Sequence, residues 1–186
     1  MLSQFSAEGD HPTLADLDFH FPKDVYPVGR LDHDTEGLLL LTNDTRVNHL
    51  LLDPKFQHHK TYWSQIEGEM NEDAMKQLQN GIVINLKGEL HRTKPARVKE
   101  ISAPKIPERN PSVNYIKHPA TSWIELTITE GKNRQVRKMT AKVGHPTLRL
   151  IRYAIEEVTL ERMKPGEVVE LKEQEFYPLL KLNRRN

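Results

Sequence analysis

Cysteine is absent from all 186 residues. This excludes disulfide staples and thiolate chemistry and suits a reducing compartment such as the cytoplasm. A long apolar run is also missing. The first thirty residues carry Asp10, His11, Asp16, Asp18 and Lys23 and no apolar stretch of signal-peptide length. Nothing later approaches the roughly 20 apolar residues of a membrane-spanning helix, so no membrane partner is expected. Net charge is nearly absent too. The 27 Lys and Arg against 26 Asp and Glu leave a formal charge of +1, so bulk electrostatics does not announce a polyanionic partner. Histidines with zinc-ligand spacing are lacking, since His58 and His59 are adjacent and the other histidines are scattered. No catalytic metal is expected. No internal repeat is present, and the length suits one domain over 1–186 with room for two lobes.

The distribution of charge says more than its sum. Between Gly131 and Ile155 lie seven cations, Lys132, Arg134, Arg137, Lys138, Lys142, Arg149 and Arg152, and no Asp or Glu. A solvated helix face normally intersperses acids among its bases, so phosphate binding is the better reading. A second feature is Gly29-Arg30-Leu31-Asp32-His33-Asp34-Thr35-Glu36-Gly37, running into Leu38 to Leu41 and the stop Thr42-Asn43-Asp44. Four leucines bounded by turn-formers predict a strand buried on both faces. Asp32, Asp34 and Glu36 alternate at strand spacing and could share one face, where they would repel unless a cation sits among them. A metal cluster, an arginine-paired nucleophile and a solvated acidic turn all remain open from these residues alone.

Periodicity and punctuation give the expected elements. Leu2 to Val25 reads as loop with one short helix near Thr13 to Leu17. Thr45 to Leu52 reads as a helix, Thr61 to Glu67 as a strand, and Asn71 to Gln79 as a helix capped by Asn71 with Gly81 just beyond. Ile82 to Ile101 predicts strands around Lys87-Gly88. Ala103 to Pro119, with four prolines, predicts a surface loop. Trp123 to Thr129 should be a strand, Asn133 to Val143 a helix burying Val136, Met139, Thr140 and Val143, and Thr147 to Tyr153 and Val168 to Leu171 further strands. Few strands are separated by helical crossovers, so the fold class is α+β: a mixed, mostly antiparallel sheet with flanking helices.

Gly-Arg-Leu-Asp, two residues, then Thr-Glu-Gly and a leucine run resembles the signature of the pseudouridine synthases. Lys60-Thr61-Tyr62 follows in the family's order, and then Glu130-Gly131-Lys132-Asn133-Arg134-Gln135-Val136-Arg137-Lys138-Met139 leading to Gly144-His145-Pro146-Thr147-Leu148-Arg149-Leu150. Three ordered motifs are far more specific than one, and the likeness is to the branch that includes the ribosomal small-subunit enzyme A. It implies a central catalytic cleft and isomerisation of a uridine in large-subunit ribosomal RNA, with RNA as the partner; that isomerisation is redox-neutral and requires no cofactor, and nothing in the sequence demands more than a monomer. It also implies roles for individual residues. Asp32 matches the catalytic aspartate, Arg137 the arginine that pairs with it, and Tyr62 the tyrosine that stacks on the target base. Arg30 matches the residue that fills the gap left by an everted nucleotide, and Leu150 an apolar wall of the uracil pocket. Lys60, Lys132, Arg134 and Lys138 are candidates for phosphate contacts. Only 28 residues precede Gly29, too few for the S4 RNA-binding domain that many relatives carry, and the family's N-terminal strand is expected to be absent.

Two rival readings explain part of the chain. A non-catalytic RNA-binding module of ribosomal type accounts for the basic segment but leaves Asp32 as turn chemistry. A metal-dependent nuclease would use Asp32, Asp34 and Glu36 on Mg²⁺.

Overall fold

The alternating and helical periods assemble around one long central strand. A computed structural model describes residues 1–161 and 163–182. In it β1 (Tyr26–Pro27), β2 (Thr35–Gly37), β3 (Leu41–Thr42), α1 (Thr45–Leu52), β4 (Lys60–Glu67) and α2 (Glu72–Gln79) come first. There follow β5 (Val83–Leu86), β6 (Glu89–Arg92), β7 (Arg97–Ile101), β8 (Thr121–Ile128), α3 (Gln135–Lys142), β9 (Thr147–Ile155), β10 (Val158–Thr159) and α4 (Glu173–Leu179). The architecture is α+β, with a mostly antiparallel sheet and flanking helices.

Strand β9 is the spine. Antiparallel β4 pairs with one of its edges from Thr147 to Ile155, and β8 and then β7 extend the sheet beyond β4. The other edge of β9 is shared by two short strands. Parallel β2 places Thr35 opposite Leu150 and Gly37 opposite Arg152, while β10 pairs at Ile155 and Ala154. The residues just before β2 therefore hang from a strand that is itself fixed in the sheet.

Local chemistry explains the helices. Asp44 caps α1, accepting from Arg46 N at 2.9 Å, and Asn71 caps α2, accepting from Ala74 N at 2.8 Å. Helix α3 has no side-chain cap, and its first flanking residue, Arg134, is left-handed at φ 52°. Its entry loop is instead tied to buried Glu130, which accepts from Gln135 Nε2 at 2.6 Å and from Lys94 N at 2.9 Å. Helices α2 and α3 bury Leu78, Val136 and Met139 against Ile66, Ile124 and Leu126 of the sheet. A second apolar cluster gathers Val47 and Leu51 of α1, Leu38, Leu40 and Ile155, and Tyr177 and Leu180 at the chain's last helix.

Two expectations need correction. The run Leu38 to Leu41 is not one strand: Leu38 and Leu40 are buried, yet only Leu41–Thr42 pairs as strand. The cause is Gly37, whose φ of 112° turns the chain away after β2, although Leu38 N still donates to Arg152 O at 2.8 Å. Val168 to Leu171 forms no strand, and Val169 and Leu171 are exposed. The order lies just beyond, in α4, whose internal Pro178 masks the helical signal.

A side chain at position 37 would collide with the carbonyl oxygen and amide nitrogen of Arg152, and its φ is one that only glycine adopts freely. Gly37→Ala is therefore expected to cost about 2 kcal/mol or more in urea unfolding. A variant as stable as the wild type would refute the β2–β9 register.

Candidate active site

The acidic segment is a turn followed by a strand, not one extended face. Thr35 N donates to Asp32 O at 2.8 Å, closing a turn over Asp32 to Thr35, and β2 begins only there. The amino-terminal segment packs over it. Leu31 N donates to Ser3 Oγ at 3.0 Å, and the rings of His11 and His33 meet edge to face, 5.0 Å between centres. Asp32 is half-buried beneath this cover.

Arginines neutralise the other two acids. Arg134 makes a fork on Asp34, with Nη1 2.6 Å from Oδ1 and Nη2 2.9 Å from Oδ2. Arg137 Nε lies 3.4 Å from Asp34 Oδ2, while its Nη2 and Nη1 donate to the carbonyls of Asp34 at 2.6 Å and Thr147 at 3.1 Å. The Arg134 hydrogen bonds hold the Asp34 carboxyl below the usual carboxylate range, with the Arg137 charge in support and partial burial opposing. Arg149, buried in β9, grips Glu36 through Nε at 2.9 Å and Nη2 at 2.7 Å, and Nη2 also donates to Pro107 O at 2.9 Å. Asp34 and Glu36 are thus engaged by guanidinium groups and are not gathered around a common cation position. Among the described residues no cluster of three or more His, Asp or Glu suited to a metal forms.

The expected Arg137–Asp32 ion pair is replaced by one to Asp34. Helix α3 packs against β9, to which β2 is paired, so the acid next to β2 comes within reach, and Asp32 sits across the turn. The Asp32 charge nevertheless acts on Arg137, Arg134 and the Tyr62 hydroxyl. Tyr62 stands on β4 with its ring against the first apolar cluster. Burial pushes its phenol pKa up, the nearby Asp32 charge adds to this, and Arg152 opposes it. Asp32, which forms no ion pair among the described residues, thus acts electrostatically on a sheet-mounted phenol and two guanidinium groups of the α3 region.

Residues 7–142 match the family model of RNA pseudouridylate synthases. The chain belongs to this family. It is 46% identical over 171 residues to ribosomal large subunit pseudouridine synthase E of Vibrio parahaemolyticus, covering 91% of this chain and 69% of that protein. The Xanthomonas axonopodis pv. citri protein of the same name is 46% identical over 166 residues, covering 89% and 85%. A crystal structure described as a pseudouridylate synthase superposes with a TM-score of 0.73 at 31% identity, covering 92% of this chain and 66% of that one. The chain is accordingly an RNA pseudouridine synthase, and the non-catalytic rival is set aside.

Other expected site residues of the synthase distribute unevenly. Arg30 is exposed, and the carboxylates of Asp34 and Glu36 nearby in the sequence are taken by other arginines. Leu150 is buried in the first cluster opposite Thr35. Lys60 does not fit a phosphate contact: it is only 7% exposed and donates to Leu51 O at 3.2 Å. Burial, helped by the Arg152 charge, lowers its pKa to about 8. The seven-cation segment also thins. Arg149 and Arg152 are buried, and Arg134 and Arg137 engage Asp34, which leaves Lys132 and Lys142 exposed and Lys138 half-buried. Sequence reasoning counted Arg149 and Arg152 as surface charge. Their place within an apolar strand, Leu148 to Ile155, was the signal that they are interior.

Lys60 carries a pH signature. Its folded pKa of about 8 lies below the ordinary lysine value, so the folded state binds fewer protons than the unfolded chain between these two values. Stability relative to Lys60→Met should rise from about pH 8 to 10.5, by about 3 kcal/mol at most. Below that window the buried ammonium is a burden. A difference between the two proteins that stays flat with pH in urea unfolding would contradict the burial.

Proposed function

We propose that the chain isomerises a specific uridine of large-subunit ribosomal RNA to pseudouridine, with Asp32 as the reacting carboxylate. The two relatives named for large-subunit modification support the substrate, and an RNA-modifying enzyme without cysteine fits the cytoplasm. The observation that carries the mechanism is the convergence of Asp32, Tyr62 and the α3 guanidinium groups. The Asp32 charge reaches all three partners, yet Asp32 alone among the three acids of its segment forms no ion pair among the described residues.

The reaction breaks the N1–C1′ glycosidic bond, turns the uracil and joins C5 to C1′. N1 gains a proton and C5 loses one, so no electrons are exchanged and no cofactor is required. A carboxylate can serve as nucleophile or base in these steps, provided the detached uracil is held against escape. Tyr62 offers a rigid π-face for that ring. Arg137 and Arg134 act on Asp32 through their fields while bracing Asp34, and Leu150 backs the pocket from the core side. A stacked uridine must first be everted. Exposed Arg30, free of the acids beside it, can occupy the gap with its planar guanidinium. Lys132 and Lys138 meet the RNA backbone.

Asp32→Asn is expected to abolish pseudouridine formation on ribosomal RNA while RNA affinity stays within about threefold. A variant that converts uridine at the normal rate would remove Asp32 from the reaction. Replacing Lys132 or Lys138 by Gln should lower the log–log salt slope of RNA binding by about 0.7 to 0.9 for each lost phosphate contact. An unchanged slope would make these lysines merely solvated.

A further inference from the structure

Among the described residues Arg152 is a buried cation without an acid partner. It lies in the middle of β9 at 5% exposure. Burial pulls its pKa down, and the groups acting the other way belong to Tyr62. It stands directly across from Tyr62 in the β4 register and across from Gly37 in the β2 register. Its Nε donates to Leu38 O at 2.8 Å, which fixes the plane of the guanidinium, while Nη2 has no hydrogen-bond partner. The guanidinium favours the anionic form of the Tyr62 phenol, in a contact looser than a full hydrogen bond. Asp32 also bears on the Tyr62 phenol, raising its pKa further. The remaining charged neighbour is Lys60, two residues away on β4, which feels the Arg152 charge.

A buried guanidinium with neither carboxylate nor phosphate is costly to keep in an apolar strand. If its only task were to brace Leu38 O, a shorter neutral donor would serve at less desolvation cost. A guanidinium beside a phenol presents only N–H donors, so the phenol's own proton turns away from it.

We propose that Arg152 is a positioning residue of the synthase: buried directly across from Tyr62 in the sheet and braced on Leu38 O, it holds the Tyr62 hydroxyl in the orientation in which the ring receives the everted uracil. This rests on the reading of Tyr62 given under the proposed function, and the cross-strand pairing of Arg152 with Tyr62 is independent of it. Substrate binding is largely a matter of the outer face, so the effect belongs in kcat.

The test uses the full chain, ribosomal RNA carrying 5-tritiated uridine from cells lacking the protein, and the variants Arg152→Met, Arg152→Lys, Tyr62→Phe and the Met/Phe double variant. Arg152→Met should lower kcat about tenfold or more with KM within about threefold. In the Tyr62→Phe background the same change should cost less than about threefold, because the shared hydroxyl is already gone. A fluorotyrosine placed at Tyr62 and followed by ¹⁹F resonance should titrate at higher pH by roughly half a unit or more once Arg152 is Met. Additive losses in the double variant, or an unmoved resonance, would overturn the proposal and leave Arg152 a brace for Leu38. Should Arg152→Met not fold, Arg152→Lys carries the decision: about a fivefold loss of kcat supports the proposal and an unchanged kcat ends it. If the wild type itself fails to release tritium, the proposed function falls, while the resonance titration still judges the link between Arg152 and Tyr62.

Discussion

Three arginines holding two carboxylates form the constraint on which the rest of the site depends. Asp32, Asp34 and Glu36 lie within five residues, and three acids so close would drive each other toward protonation or push the segment away from the protein. Arg134 and Arg137 from α3 hold Asp34, and Arg149 from β9 holds Glu36. Half-exposed ion pairs of this kind are individually weak. Here they act together with Arg137's hydrogen bonds to two main-chain carbonyls, and so they fix geometry more than they add stability. The outcome is an acidic turn anchored on both sides, in which Asp32 forms no ion pair among the described residues.

The spine strand makes this arrangement possible. β9 carries Arg149 and Arg152 inward and receives β2 on the edge opposite β4, so the acid turn and the tyrosine strand flank the same residues. Buried charge continues to its end. Glu156 accepts from His59 N at 2.7 Å, lies 3.1 Å from His58 Nδ1 and pairs with Lys181 at 3.0 Å, tying the segment after α4 to the sheet. Charges set in a sheet interior cannot move without breaking ladder hydrogen bonds, and that rigidity suits a reaction that must retain a detached base.

Much of the fold is legible along the chain because its signals are local. Asp44 and Asn71 mark the starts of α1 and α2, the prolines of 103–119 exclude regular structure, and the alternation at Tyr62 to Ile66 reads as strand. The failures have non-local causes. The leucine run looked like a strand, but its backbone is turned by Gly37 against a neighbour more than a hundred residues away. Helix α4 is hidden by Pro178 and depends on packing Tyr177 and Leu180 onto α1 and the end of β9.

By itself the sequence determined which side chains are available: one aspartate after Gly-Arg-Leu, a tyrosine on an alternating strand, and a basic helix, each recognisable from spacing of a few residues. Only the tertiary structure decided who meets whom. Arg137 pairs with Asp34, Lys60 and Arg152 went inside, and of the basic segment Lys132 and Lys142 stay exposed without an acid partner among the described residues. The reason is physical. Spacing sets which face a residue occupies, whereas ion pairing and desolvation depend on distances of a few ångströms between elements far apart in the chain, and a turn of two residues is enough to exchange one carboxylate for another.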